Sequence, residues 1–438
     1  MTQTLQQQAR ESAQAGRFLL VSLFLGAAVA CMAPRATNIL LPLAALTCLW
    51  SARNSVADRH ERPVGSLFRD PLFIASGLLA AYLFLSAAFA IEKPASMKQA
   101  LVVVLVLALA WAGSASAARL APELARRGAL ALALGVGAAS LFLSIELLSD
   151  QVIARFVHNL TPLLRPGSNK DFILQDGRII GIQLFELNRN LALYALFAWP
   201  AIHVARTLLA PPARIALLAA IAVTAALALA LSVHETSKIA MLAAAAVFGL
   251  SLLSAQWLRR LLIAAWCAGF LLAVPLASYL YHSAHLHTAP WLPTSAQARI
   301  IIWGYSAEKI AEKPLFGIGI RSTRFLDRQL AASAEWPADH VYPRRLGHHS
   351  HNIFIQSWLE LGLVGVMLVM AAGALLLARL AALPARFQPA ANATAAAFLV
   401  IASFAWGMWQ SWLVAGYGLA VILLCVTARA GTPSRAGA

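Results

Sequence analysis

The sequence places three histidines within four residues, in Gly347-His348-His349-Ser350-His351-Asn352. Imidazole, with an ordinary pKa near 6.5, suits the removal of a proton from a hydroxyl near neutral pH, and a well-placed general base contributes about 10²–10⁴-fold. Such a triplet also raises the question of a metal. Adjacent His348 and His349 project in different directions from any extended or helical backbone. No acidic pair accompanies them and nothing resembles Asp-x-Asp, so neither a metal site nor a cofactor is expected. Neutralising an anionic substrate then falls to arginine, whose planar fork matches phosphate oxygens, and to lysine, a point charge. A lone histidine at a helix start also has a simpler use in packing or capping, and Asn352 suits the cap itself.

The elements that must hold these residues are set by composition. The chain has 438 residues, 60% apolar and 12% charged, with a net charge of +16 and a mean hydropathy of +0.72. A soluble domain is about 25% charged, so the missing charge reflects surface that faces lipid. No basic run interleaved with aromatics accompanies the high pI, which argues against a nucleic-acid partner. The four cysteines are scattered through apolar stretches with no CxxC pair, which excludes a disulfide framework. Met1 to Gly16 is polar, with no cleavage signature, and no removable signal peptide is expected.

A bilayer crossing takes about 20 mostly apolar residues. Twelve such windows recur: 17–33, 36–52, 71–91, 98–117, 128–148, 190–210, 213–232, 239–257, 261–281, 353–378, 391–409 and 412–428. The expectation is an all-α polytopic membrane protein with about 12 transmembrane helices. Helices 1–5 fill 1–148, helices 6–9 fill 190–281 and helices 10–12 fill 353–438, with long loops at 149–189 and 282–352. Seventeen arginines, among them Arg53, Arg59, Arg62, Arg206, Arg259, Arg260 and Arg435, fall on one side, whereas the short loops opposite hold Arg35, Lys93, Lys98 and Lys238. The positive-inside rule makes the first side cytoplasmic with both termini there. Both long loops are then extracytoplasmic. The charge splits into +12 inside and +4 outside, so most of the excess is topological.

The second long loop is the unusual one. It holds seven of the eleven histidines and eight basic residues, and 299–313 has the composition of a helix lying on the membrane. Its aromatics and the turn Lys313-Pro314-Leu315-Phe316-Gly317 favour an ordered segment. Paired apolar segments broken by Gly or Pro, the mark of an inverted-repeat transporter, are missing. His351-Asn352, nine residues, Gly362, two residues and Gly365 fit the H-[NSQ]-x9-G-x2-G signature. Here the sequence resembles the O-antigen ligase and polymerase superfamily. Arg299-x3-Trp303 and Lys313-Pro314-Leu315-Phe316-Gly317-x-Gly319 look like the segment that precedes it. The resemblance covers mainly residues 180 to 375.

The resemblance implies a metal-independent glycosyltransferase of GT-C-like architecture in the bacterial inner membrane, with a periplasmic site. The donor would be a glycan on undecaprenyl diphosphate and the acceptor a sugar hydroxyl of lipid A-core. His351 is the candidate base, with His349 beside it. Arg299, Arg189 and Lys238 are candidate ligands of the diphosphate, with Asn352 and Trp303 at the substrate. At Lys238 the family more often shows Ser-Arg, and lysine keeps the charge but loses the bidentate fork. Arg321, Arg324, Arg328, Arg344 and Arg345 read chiefly as loop-surface charges, some of them available to phosphates of the acceptor core, and Glu360, inside the tenth span, as one half of an ion pair ahead of a role in holding a basic ligand or orienting a histidine. The nearest alternative is an O-antigen polymerase. Its Arg-x10-Gly pattern is missing here, although Lys170 to Gly181 has the spacing. An oligosaccharyltransferase of the same superfamily ranks third, and a multi-span lipid or polysaccharide transporter is the reading from another class.

Overall fold

The computed structural model describes residues 2–54, 69–161 and 172–431; Arg59, Arg62, Lys170 and Arg435 lie outside them. The chain opens with α1 (Thr2–Met32), α2 (Thr37–Arg53), α3 (Pro71–Ala88), α4 (Lys93–Ala117) and α5 (Pro122–Leu148). Proline at the first or second helical position starts α3, α4 and α5, where a missing N–H costs nothing. Asp70 caps α3, accepting from Leu72 N at 3.0 Å, and pairs with Arg379. Alanines and glycines let α5 lie closely on α1: a Cβ at Gly135 would come within 2.5 Å of the Phe24 carbonyl.

The first long loop holds α6 (Val152–Leu160) and an antiparallel hairpin, β1 (Phe172–Gln175) and β2 (Arg178–Ile182). Asp176-Gly177 makes its two-residue turn with φ of 50° and 74°, the conformation that an Asp-Gly pair favours. The all-α expectation therefore needs a small correction. Asp-Gly between two apolar runs was the available signal. Glu146 of α5 is fully buried and accepts from Ile153 N at 2.8 Å, tying the loop to the bundle.

The chain continues with α7 (Asn188–Leu208), α8 (Pro211–Leu231) and α9 (Glu235–Ser278). The second long loop contributes α10 (Thr294–Glu312) and α11 (Thr323–Leu330), and α12 (Ile353–Arg379), α13 (Gln388–Phe404) and α14 (Ser411–Ala430) complete the bundle. Among the described residues nine helices are long and apolar enough to cross a membrane, as a multi-pass membrane protein requires. The difference from twelve windows has a local cause. Windows 36–52 and 391–409 fall on α2 and α13, of 17 residues each. Windows 239–257 and 261–281 fall on one 44-residue element, α9, which breaks at Ser254 (φ −154°, ψ 94°). Ser254 Oγ accepts from Trp257 N at 3.3 Å, capping the second half. Asn392 of α13 donates to Ser251 Oγ and to the Ala255 carbonyl, which keeps the interrupted backbone satisfied in an apolar setting.

A second break positions the site. Gly362 stands at φ 62°, ψ −168° inside α12, a region that only glycine enters readily. The loop 313–320 runs into the opening and pairs with the freed backbone. Ile318 N donates to Leu359 O at 3.0 Å, Gly319 N to Glu360 O at 2.9 Å, and Leu363 N to Pro314 O at 2.8 Å. A Cβ on Gly317 would stand 2.5 Å from the Glu360 carbonyl carbon, and one on Gly362 would stand 2.5 Å from Gly317 N. The two glycine motifs thus make a single crossing of backbone on backbone. So one apolar helix of the bundle is broken at glycine.

Candidate functional site

Asn352 starts α12 by accepting from Phe354 N at 2.9 Å and Ile355 N at 3.1 Å, so its side-chain oxygen is occupied as a helix cap. His351, just before it, is held with φ at 53°. Its Nδ1 lies 2.6 Å from the Ala405 carbonyl, in the turn between α13 and α14. A carbonyl only accepts, so this contact fixes the proton on Nδ1 and leaves Nε2 as the lone-pair nitrogen. Burial, together with the nearby Arg299 charge, holds the imidazole below its ordinary pKa, against the opposing pull of the Ala405 carbonyl. The result is an imidazole biased toward its neutral form.

Arg299 and Trp303 sit four residues apart on α10 and so share a face. Trp303 Nε1 donates to the Ser350 carbonyl at 2.7 Å, pinning the helix to the histidine turn. One turn back, the Arg299 guanidinium is partly buried. Its charge is felt by His234, His349 and His351, and no hydrogen bond or ion pair engages it among the described residues. A desolvated guanidinium without a counter-ion is a site for an anion. His234, which the sequence reading passed over, completes this side. Its Nδ1 lies 2.6 Å from Ser237 Oγ, its ring packs on Trp406 at 5.0 Å, and burial and the Arg299 charge bring its pKa down to about 4.

The turn 405–410 is the third wall, and sequence reasoning missed it as well. Ala405 holds His351, and Gly407 lies so close to His349 that an added Cβ would be 2.7 Å from the histidine Cβ. Met408 N donates to Gln356 Oε1 at 3.0 Å, and Trp409 Nε1 donates to Glu360. His349 packs on His351 with ring centroids 4.2 Å apart, and its Nε2 is buried with no partner. Burial first, then His351, His348 and Arg299, bring its pKa down to about 3. Glu360 forms no ion pair among the described residues, contrary to the expectation for it. Its carboxylate accepts from Arg321 N at 2.6 Å, Thr323 N at 3.0 Å and Thr323 Oγ1 at 2.5 Å, and so anchors the loop after Gly319. The available signal was a Gln356-x3-Glu360 pair inside an otherwise apolar helix.

The remaining sequence-predicted residues lie apart. Lys238 is on the first turn of α9 with His234, but its ammonium is paired with Glu235 at 2.9 Å. Arg189 is 3.8 Å from Glu186 and lines a separate cavity of about 240 Å³ with Arg35 and Glu146. The structure does not bring it to the histidines. Arg321 and Arg324, read from sequence as surface charges, instead line a cavity of about 250 Å³ together with His348 and His349. Beside it, sharing Trp409, runs an apolar groove of about 310 Å³ walled by α3, α4, α12 and α14, with Trp406 and Trp266 on it.

Part of the chain resembles known proteins. Residues 220–370 match the O-antigen ligase family model. A protein of Rickettsia conorii named as a polysaccharide ligase is 28% identical over 131 residues, 30% of this chain and 31% of that protein. Likewise named proteins of Rickettsia bellii and Rickettsia prowazekii are 29% and 26% identical over the same length, each across 32% of the relative. The chain therefore aligns with about a third of the length of these relatives. The matched segment holds His234, Lys238, Arg299, Trp303, the 313–320 loop and the histidine turn with its two glycines, and by that match it is a domain of the O-antigen ligase superfamily.

Proposed function

We propose that this chain is an O-antigen ligase of the bacterial inner membrane. It moves a glycan from undecaprenyl diphosphate to a sugar hydroxyl of lipid A-core on the periplasmic face, in a GT-C-like arrangement. The observation that carries the reading is the pairing of a neutral His351 with a counter-ion-free Arg299 beside an apolar groove. His351 Nε2 takes the proton of the acceptor hydroxyl as its oxygen bonds to the anomeric carbon of the donor sugar. The bond from that carbon to the diphosphate oxygen breaks, and the electron pair leaves with the diphosphate. Arg299 meets the charge that grows there, in a partly desolvated setting where a fixed guanidinium acts strongly. Trp303 and Ala405 act as positioning residues for the arginine and the histidine. The groove lined by Trp406 and Trp409 suits the polyprenyl chain.

The test offers purified protein the undecaprenyl-linked glycan with and without lipid A-core. Glycan attached to core in the wild type, and none with His351→Gln, supports the reading. Lengthening of the lipid-linked glycan without core attachment overturns the acceptor assignment in favour of a polymerase.

A further inference from the structure

The cavity beside His349 is lined by two arginines, three glutamines and two histidines, with one carboxylate among them. Arg321 and Arg324 both face it, and neither has a carboxylate partner among the described residues. Arg324 Nε is buried with no hydrogen bond, and the charges of Arg328 and Arg321 both bear on its guanidinium. Gln99 of α4, 6% exposed, presents a buried Nε2 that also lacks a partner, and His349 Nε2, donor or acceptor according to its tautomer, is unpaired beside it. Two acceptors on the wall are already engaged. Glu360, the one carboxylate lining the cavity among the described residues, takes the amides of Arg321 and Thr323, the Thr323 hydroxyl, the Gln356 amide and the Trp409 indole. Gln356 Oε1 takes Met408 N. Arg321 itself is held in place, with Nη1 3.3 Å from the Ala95 carbonyl.

Buried donors left unpaired are costly, and Arg324 Nε and Gln99 Nε2 on one polar cavity, with the Arg321 guanidinium beside them, call for a guest rich in acceptor oxygens. A tetrahedral phosphoryl group has the oxygens and the charge, and two guanidinium forks match it. Trp409 belongs to both this cavity and the apolar groove, so the phosphoryl group would sit at the end of a lipid chain. We propose that Arg321, Arg324 and Gln99 form a phosphoryl-binding subsite, separate from Arg299, for a phosphate carried by a lipid-linked substrate. The inference rests on the ligase reading for the substrate's class. The phosphate comes either from the donor's diphosphate or from a phosphate on the acceptor core.

Titration of the purified full-length protein with inorganic pyrophosphate, followed by tryptophan fluorescence, tests the subsite. The wild type should show saturable quenching. The Arg321→Gln/Arg324→Gln variant should need about tenfold more ligand, the loss expected for one charge-assisted hydrogen bond, and Arg324→Lys should recover part of it. Arg126→Gln, which removes an exposed cation beside Glu123 far from the cavity, should titrate as the wild type does. A wild-type titration in the double variant, or an equal or greater loss in Arg126→Gln, overturns the proposal; monodisperse elution of each variant controls for folding.

Steady-state turnover then assigns the source. A raised KM for donor points to the diphosphate, and a raised KM for acceptor that vanishes with enzymatically dephosphorylated core points to the core phosphate. If neither KM rises, the subsite is not used and the proposal fails. The titration needs no turnover, so it is independent of the ligase reading, which fails instead if His351→Gln retains core attachment.

Discussion

The Nδ1 of His351 lies 2.6 Å from the carbonyl oxygen of Ala405, a residue 54 positions away on the turn before α14. One contact therefore sets the tautomer of the candidate base and joins the second long loop to the far end of the chain. Removing the base while leaving the fold should cost about 10²–10⁴-fold in transfer rate. His351→Ala and His351→Gln are expected to insert and elute normally and to leave undecaprenyl-linked glycan unconsumed in a reconstituted assay. Full activity in either variant would remove His351 from the chemistry.

The pH dependence has a definite sign. Burial and the Arg299 charge depress the His351 pKa, so the neutral base persists as pH falls below 6.5. The acid limb of kcat/KM should therefore lie below 6.5, and Arg299→Gln should move it upward by removing a repelling charge. Stability runs in the same sense. His349 and His234, brought to about 3 and about 4, bind fewer protons in the fold than unfolded chain does between those values and 6.5. Their contribution is full above 6.5 and declines as pH falls toward 4, so the melting temperature in detergent should drop across that interval. An acid limb above 6.5, or a melting temperature that rises on acidification, would contradict this account.

Gly362 is expected to tolerate no side chain. Its φ of 62° with ψ of −168° costs a non-glycine residue about 1–3 kcal/mol, and the added Cβ would also meet the Leu315 carbonyl and Gly317 N at 2.5 Å. Gly362→Ala should lower thermal stability and expose the 313–320 loop to protease, with activity falling in parallel. Gly77→Ala, on α3 with nothing within 4 Å of a Cβ, is the matched control and should leave both unchanged.

The membrane bundle was legible because apolar runs of bilayer length leave little choice of fold, and the twelve windows fall on helices. Span number does not follow from composition alone, because α2 and α13 have 17 residues each and α9 runs through a serine-capped break. For the site, spacing was informative where residues lie on one element: Arg299 and Trp303 share a face of α10, and His351-Asn352 marks the start of α12. It was silent on partners brought from elsewhere. Ala405 contributes a carbonyl, which any residue has, and Gly407 contributes an absence of side chain, so the turn before α14 carries no sequence mark beyond its tryptophans. Arg321 and Arg324 looked like surface charges because the glycine crossing that turns them inward is a tertiary event.

Arg299 offers the positive charge that a diphosphate needs on leaving, and the proposed reaction uses no other ion. Transfer in excess EDTA is expected to match the untreated rate. A loss reversed by added magnesium or manganese would assign part of that charge to a divalent ion.

The contrast between Arg299 and Arg189 separates charge near the chemistry from charge near the same membrane surface. Arg299 acts on His349 and His351, has no counter-ion among the described residues and lies within the family-matched segment. Arg189 lies beside Glu186 in the cavity with Arg35 and Glu146, before that segment begins. Arg299→Gln should lower kcat by about 10²-fold or more, as loss of a preorganised donor to developing charge does. Arg299→Lys should recover only part, because the point charge lacks the fork. Arg189→Gln should stay within about threefold, the size of a surface substitution. The measurement is kcat and KM for donor in the three variants. A loss at Arg189 as large as that at Arg299 would require the first long loop to close onto the histidine turn during turnover, with its cavity becoming part of the donor site.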